Sequence, residues 1–376
     1  MAGPGLLLSL LLSVILLSLP GPGLSEVCRD QEGNEVDWWI VYKLPRRTSA
    51  KYRHKYKRHF PRKKDWKAFN NNLKEGVAYA YLTSSLPDTQ WTMSPVAISD
   101  PASIPGHTLA PLYSSSSGDL FSLLYNDEIP NGPTSFYHGH TKGVVMGSSD
   151  SSLWLIHSVP HFPPFPNETY DYPATGHSFG QSALCLSFSS NQLDTVGTQL
   201  TYNYPNIYHT NVPQWATKYT SLVAASEGSH VNTAPYYNTE ILSTLAGESL
   251  TVFAKFTDFG KDLYADLVAP SLQVPLMVET WPRGPGKMPS RCDTEFIVEN
   301  INEMDFTELE DDDFRTTFDH AKWAISLDKK RPWVCVGDIN RMETQEHRAG
   351  GTACFWSYTV WKTFKKSVKD IEACDA

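Results

Sequence analysis

The most apolar stretch of the chain is its beginning, where Leu6 to Leu19 is interrupted only by Ser9, Ser13 and Ser18 and gives way to Pro20 and small residues through Ser25. Such a run is shorter than the roughly 20 residues a bilayer core demands. It predicts a signal peptide over residues 1–25, cleaved near Ser25. Beyond it, β-branched and aromatic runs of strand length recur at Val36 to Pro45, Val77 to Leu82, Leu120 to Tyr125, Thr141 to Met146, Leu153 to Ser158 and Ala183 to Phe188. Gly, Pro, Ser and Asp separate them. Apolar residues at three- and four-residue spacing predict helices at Asn238 to Leu245, Phe259 to Val268 and Val360 to Ile371. Pro160 to Pro166 reads as an extended connector. Arg46 to Lys64 reads as a solvated loop or short helix, and the acidic run Glu308 to Asp313 as a solvated loop. The mixture implies an α/β (α+β) class rather than an all-β sandwich.

Composition adds a compartment. All six cysteines (Cys28, Cys185, Cys292, Cys335, Cys354, Cys374) follow the leader, an even number suited to disulfides in an exported protein. None forms a Cys-x-x-Cys pair, which argues against a zinc ribbon or a thioredoxin-like site. Asn167-Glu168-Thr169 is a glycosylation sequon. The net charge of -9 conceals a basic run, since Lys43 to Lys67 holds twelve Lys or Arg against Asp65 alone. Protonating all 12 histidines would move the total from -9 to about +3. Acid therefore favours a polyanionic partner.

Candidate chemistry lies in an echo. His140-Thr141-Lys142 and His320-Ala321-Lys322 stand 180 residues apart, each with a strand pattern after it. Residues at i and i+2 share a strand face, so each imidazole and ammonium would point together, with Ala321, Trp323 and Ile325 facing the core. Gly139 and Gly143 would leave room for a ligand or a close backbone approach. Two histidines and two lysines suit phosphodiester cleavage without a metal or cofactor. One imidazole attacks phosphorus, the other protonates the leaving oxygen, and the ammonium groups offset the phosphoryl charge.

Gly139 to Gly143, Trp154 to Pro160, Gly180-Gln181-Ser182, Asp319 to Trp323 and Val336 to Arg341 resemble the deoxyribonuclease II family in order and spacing. So do Asp37-Trp38, Tyr42 to Pro45, Tyr125-Asn126-Asp127, Phe253 to Phe256 and Gly350-Gly351-Thr352 before Cys354. The resemblance runs over nearly the whole mature chain. It implies a phospholipase-D-like fold over 26–376, with an N-terminal half of about 26–210 and a C-terminal half of about 211–376 meeting at one site. It also implies DNA as substrate, acid pH, 3'-phosphate products through a phosphohistidine, and a lysosomal or secreted location. His320, His140, Lys142 and Lys322 carry over as catalytic and Asn340 as phosphate-binding, while His157 is a further phosphate-binding candidate that would line the cleft in the first half. Leu327 and Gly337-Asp338 depart from the superfamily's Asp and Gly-Ser. The pairs implied are Cys28–Cys185, Cys292–Cys374 and Cys335–Cys354. Tyr170 to Pro173 and Asp319 to Lys322 lean toward the family's beta type and leave alpha open.

Other readings compete. His138-Gly139-His140 has the spacing of half a metal site, although Lys142 would repel a cation. His157 and His161 suit hydrogen-bonded structural roles equally well. The basic run offers phosphate contacts and stacking surfaces, or is simply charged loop. A lipid phosphodiesterase would use the same histidines but wants an apolar rim. A non-catalytic nucleic-acid-binding glycoprotein would leave them dispensable. A monomer suffices for catalysis, since both motifs lie in one chain.

Overall fold

The strand-length runs become strands because both of their faces find a core. In the computed structural model, which describes residues 26–47, 60, 62–86, 90–114, 118–306 and 313–375, β1 (Trp38–Lys43) sends Trp38, Ile40 and Tyr42 into one apolar cluster and Trp39 and Val41 into another. Side chains alternate across a strand, so burial on both faces leaves a continuous apolar run rather than alternation. The expected leader 1–25 lies outside the described residues, as do 48–59 and 61 of the basic run and 308–312 of the acidic run. Among the described residues no helix is long and apolar enough to cross a membrane.

β2 (Tyr79–Thr83), β3 (Thr92–Met93), β4 (Phe121–Asn126), β5 (Lys142–Gly147), β6 (Ser151–His157), β7 (Gln181–Ser189) and β8 (Ile207–Asn211) complete the first sheet with β1. Its order is β3-β2-β1-β7-β6-β5-β4-β8. The second sheet contains β9 (Tyr237–Ser243), β10 (Ser249–Lys255), β11 (Leu276–Glu279), β12 (Val298–Asp305), β13 (Asp313–Arg315), β14 (Trp323–Ser326), β15 (Trp333–Gly337) and β16 (Gly350–Trp356). Its order is β13-β12-β11-β14-β15-β16-β10-β9, with β17 (Val368–Glu372) added on β12. The segment β4-β5-β6-β7-β1 is matched by β11-β14-β15-β16-β10. Both are antiparallel throughout and met in the same chain order. Lys142 opens β5 and Lys322 directly precedes β14, so the tripeptides sit at equivalent places in a repeated topology.

The inner faces of the two sheets share one core, in which Trp38 meets Phe355 at 5.5 Å between ring centroids and Trp323 lies fully buried. Each such side chain contributes about 1.5–3 kcal/mol on burial, so a core drawn from both sheets holds the halves in one relation. The outer face of the first sheet is covered by helix Ile104–Ser114, and that of the second by the helical turns Tyr264–Val268 and Ala269–Leu272. Disulfides join Cys28 to Cys185, Cys292 to Cys374 and Cys335 to Cys354, the last across β15 and β16.

Three of the expected helices change. Tyr237–Ser243 is a strand, because its residues pair with β10 along their whole length, and that pairing outweighs a weak helical spacing. The pattern at 259–268 breaks at Gly260, whose φ of 61° ends one 3-10 turn before another helical turn begins at Tyr264. The third ends early, at Tyr358–Lys366, since Val368–Glu372 is claimed by β12. Helices Lys63–Glu75 and Leu193–Asn203 are additional to those expected, although Trp66, Phe69 and Leu73 in the one and Leu193, Val196 and Leu200 in the other stand at helical spacing. Of the acidic run, Asp313 starts β13.

Candidate active site

Each His-x-Lys tripeptide lies at the start of its strand, with Lys142 opening β5 and Lys322 directly preceding β14, and each is held by the opposite half. The His140 backbone N–H donates to the Ala349 carbonyl at 2.8 Å, immediately before β16. The His320 N–H donates to the Gly180 carbonyl at 2.8 Å, immediately before β7, the strand that matches β16. Lys322 N–H continues this contact to Ser182 Oγ at 3.1 Å, and Thr141 Oγ1 answers it by donating to Asp338 Oδ2 at 2.6 Å. The two tripeptides are thereby exchanged between halves and converge at the junction. The expectation that each histidine and lysine share a strand face needs correction, because β5 begins at Lys142 and β14 after Lys322. Their proximity comes from the exchange instead.

Gly139 serves close backbone approach rather than ligand space, since a Cβ there would lie 2.0 Å from the Asn203 carbonyl oxygen and 2.9 Å from that of Ala349. Gly143 likewise makes room for Tyr125, whose hydroxyl would stand 2.4 Å from an added Cβ.

His140 Nδ1 lies 2.6 Å from the carbonyl oxygen of Asp338. A carbonyl can only accept, so Nδ1 carries the proton and Nε2 the lone pair of the neutral ring. Burial, then Lys142, keep this imidazole neutral far below the usual histidine range. His320 is flanked by two rings, Phe179 at 4.4 Å and nearly parallel and Trp281 at 4.0 Å. Its Nε2 is buried with no hydrogen-bond partner among the described residues. Burial, then the positive charges of Lys322 and Lys142, also disfavour its imidazolium in the free protein.

Lys142 is ion-paired with buried Asp127, which Arg348 Nη2 also reaches at 3.2 Å. Lys322 instead donates to the His320 carbonyl at 2.6 Å and, through burial and repulsion from Lys142, is brought down to about 7. Asn340 Oδ1 accepts the Trp281 backbone N–H at 3.2 Å. His157 ends β6 fully buried, its Nδ1 accepting from Val159 N–H at 3.2 Å and its Nε2 without a partner among the described residues. Burial, then Lys142, lower it to about 3. His138 binds Ser135 Oγ at 2.8 Å and does not share a partner with His140, which removes the basis for a joint metal site there. His161 donates from Nδ1 to the Ile129 carbonyl at 2.8 Å, a structural role. Asn167 lines, together with His161, a surface cavity of about 830 Å³.

Several buried or half-buried groups at the junction carry no assigned role in the sequence. Asp127 and Asp338 stood inside recognised strings, and their carboxylates beside a motif were the available signal. Glu279, Arg348, Trp281 and Phe179 had none, since only the fold brings them in. Glu279 is fully buried with neither oxygen hydrogen-bonded among the described residues, and burial, then Asp319, raise it well above the carboxylate range.

The family model described as Deoxyribonuclease II matches residues 27–374. Deoxyribonuclease-2-alpha of Rattus norvegicus is 36% identical over 371 residues, covering 97% of this chain and 99% of that protein. Deoxyribonuclease-2 of Caenorhabditis elegans is 36% identical, with 90% and 91% covered. Deoxyribonuclease-2-beta of Homo sapiens is 33% identical, with 92% and 91% covered.

Proposed function

The chain belongs to the deoxyribonuclease II family, and from that premise we propose that it is an acid endodeoxyribonuclease whose single active site is shared by two halves, about 26–210 and 211–376. It is a hydrolase acting on DNA, with lysosomal or secreted placement as the compartments that suit acid chemistry and paired cysteines. The observation that carries the site assignment is the exchange of the two tripeptides, with His140 N–H on Ala349 and His320 N–H on Gly180.

The diester phosphate lies between the motifs, its charge met by Lys142 and Lys322 without a metal. His140 is the nucleophile, because its Nδ1–H is committed to the Asp338 carbonyl and its Nε2 lone pair meets no hydrogen-bond donor among the described residues. Attack forms a P–N bond and breaks the bond from phosphorus to the 5' oxygen, which takes a proton from His320 as imidazolium. Water then displaces the imidazole while His320 accepts its proton, leaving a 3'-phosphate. Asn340 Nδ2 donates to a phosphoryl oxygen, and so does Nε2–H of buried His157, whose Nδ1 accepts from Val159 N–H.

Acid dependence follows from the same charges. Burial, Lys322 and Lys142 depress His320 in the free protein, and a bound phosphate anion relieves the repulsion. Proton uptake and substrate binding then reinforce each other, so the rate rises as pH falls through the histidine range.

The test is plasmid nicking at about pH 5 in chelator by wild type, His140→Ala and His320→Ala. Each variant should lose at least about a hundredfold. An alkaline quench of a strand labelled on the 3'-phosphate side should trap protein-linked DNA with wild type and none with His140→Ala. Nicking that requires magnesium, or undiminished activity in either variant, would sink the assignment.

A further inference from the structure

Among the described residues, the two most exposed large apolar side chains are neighbours, Phe136 at 81% and Tyr137 at 77%, four and three positions before His140. Such exposure is uncompensated by packing and marks a contact surface. The loop that carries them is held firmly. Ser135 N–H donates to the Asp127 carbonyl at 2.6 Å, and Arg348 Nη2 donates to the carbonyls of Ser135 and His138, each at 3.0 Å. The aromatic pair is therefore presented on a fixed support that also holds Lys142 through Asp127.

The rings continue into a strip. Tyr137 meets Tyr204 at 5.9 Å, His138 meets Tyr204 at 4.8 Å, Tyr204 meets exposed His230 at 4.3 Å, and His230 stacks on Phe256 at 5.3 Å and 13°. Tyr204 holds its place with φ of 44°, a left-handed conformation unusual for a bulky residue and tolerated where the surroundings enforce it. The strip starts beside the first motif and crosses to the second half. Next to it, His138, residues 205–210 and residues 226–228 line an open cavity of about 360 Å³, within the range of ligand sites and large enough for one nucleoside.

Resting on the nuclease reading above, we infer that this strip is a base-stacking subsite that holds unpaired bases of the strand being cut, on the first-motif side of the scissile phosphate. Flat aromatic and imidazole faces accept any base, and stacking of this kind is independent of sequence. The occupant is a base outside its duplex stack, because only an unstacked base exposes a face for an aromatic ring to cover. The strip thus favours single-stranded or locally opened DNA at the position of cleavage.

The test uses the full mature glycoprotein at acid pH with labelled single-stranded oligonucleotides carrying one abasic site, moved position by position across a fixed cut. For wild type, kcat/KM should drop about tenfold when the abasic site occupies the docked position and little elsewhere. In Phe136→Ala/Tyr137→Ala that positional dip should disappear, and kcat/KM on intact DNA should fall by at least tenfold more than on the base-free diester bis(4-nitrophenyl) phosphate. A wild type that cuts DNA with no positional dip overturns the subsite and leaves the nuclease reading standing. A wild type that cuts no DNA overturns the nuclease reading itself. Should the double variant fold poorly, Tyr137→Leu keeps apolar area without a ring, and an undiminished dip in it would also count against the proposal.

Discussion

The two halves carry the same tripeptide at the same place in the same strand order, yet they surround it with opposite electrostatics. On the first side Lys142 is ion-paired with Asp127, and Arg348 adds a second cation to that carboxylate. Burial alone would lift Asp127, but Lys142 and Arg348 hold it well below the ordinary range, so it stays charged. On the second side Lys322 has no ion pair among the described residues. The acids near it resist ionisation: burial, then Asp319, raise Glu279, and burial raises Asp319 to about 6 against the opposing hydrogen bond from Tyr42. The first half therefore supplies a fixed charge pattern, and the second a set of protons that acid keeps in place. A duplicated topology sets where the groups stand, whereas the buried neighbours decide which protons they hold.

Asp127→Asn should break this contrast most severely. It removes the counter-charge from two buried or nearly buried cations, and loss of one partner of a buried pair costs about 3–5 kcal/mol. Denaturant unfolding with disulfides intact should show it, and a loss under about 1 kcal/mol would mean the pair is not closed in solution. Arg348→Gln should cost less, about 1.5–3 kcal/mol, as it deletes charged hydrogen bonds to Ser135 and His138 but leaves Lys142 to neutralise Asp127. Equal losses in the two variants would place the anchoring charge on Arg348 instead.

How much of this was legible in the sequence follows from the same distinction. Runs such as Leu153 to Ser158 announced themselves because both faces of β6 are buried. The tripeptides announced themselves through their half-length spacing. Asn238 to Leu245 misled because its apolar spacing suits a helix, while its fate depends on β10, a partner that local pattern does not reveal. The same holds for Glu279, Arg348 and the exchange of Ala349 and Gly180 between halves. Those contacts join residues far apart in sequence, and no periodicity encodes them.

Tyr42→Phe probes the second side more gently. Its hydroxyl donates to Asp319, a bond worth about 1 kcal/mol to a neutral acid and about 2 kcal/mol to a carboxylate. Asp319 is raised to about 6, so it is mostly protonated at pH 5 and mostly ionised at pH 7. The destabilisation by Tyr42→Phe should accordingly grow from pH 5 to pH 7. A constant difference would show that Asp319 does not titrate in that interval.

The effect that is smallest in acid, and the sharpest in sign, belongs to Glu279→Gln. A carboxyl raised by folding contributes stability that is complete below its unfolded value near 4.5 and is lost as pH climbs toward its folded value. Glutamine cannot lose that proton. Wild type and variant should melt within about 0.5 kcal/mol of each other below pH 4.5, where both side chains are neutral. Above it the variant should gain on wild type, by at most about 1.4 kcal/mol per pH unit, the slope of a single proton. Asp127→Asn should follow the opposite course, its deficit shrinking only as strong acid neutralises the wild-type carboxylate. If the Glu279→Gln difference stayed flat from pH 4.5 to 7.5, Glu279 would be ionised and paired like Asp127, and the electrostatic contrast between the halves would vanish.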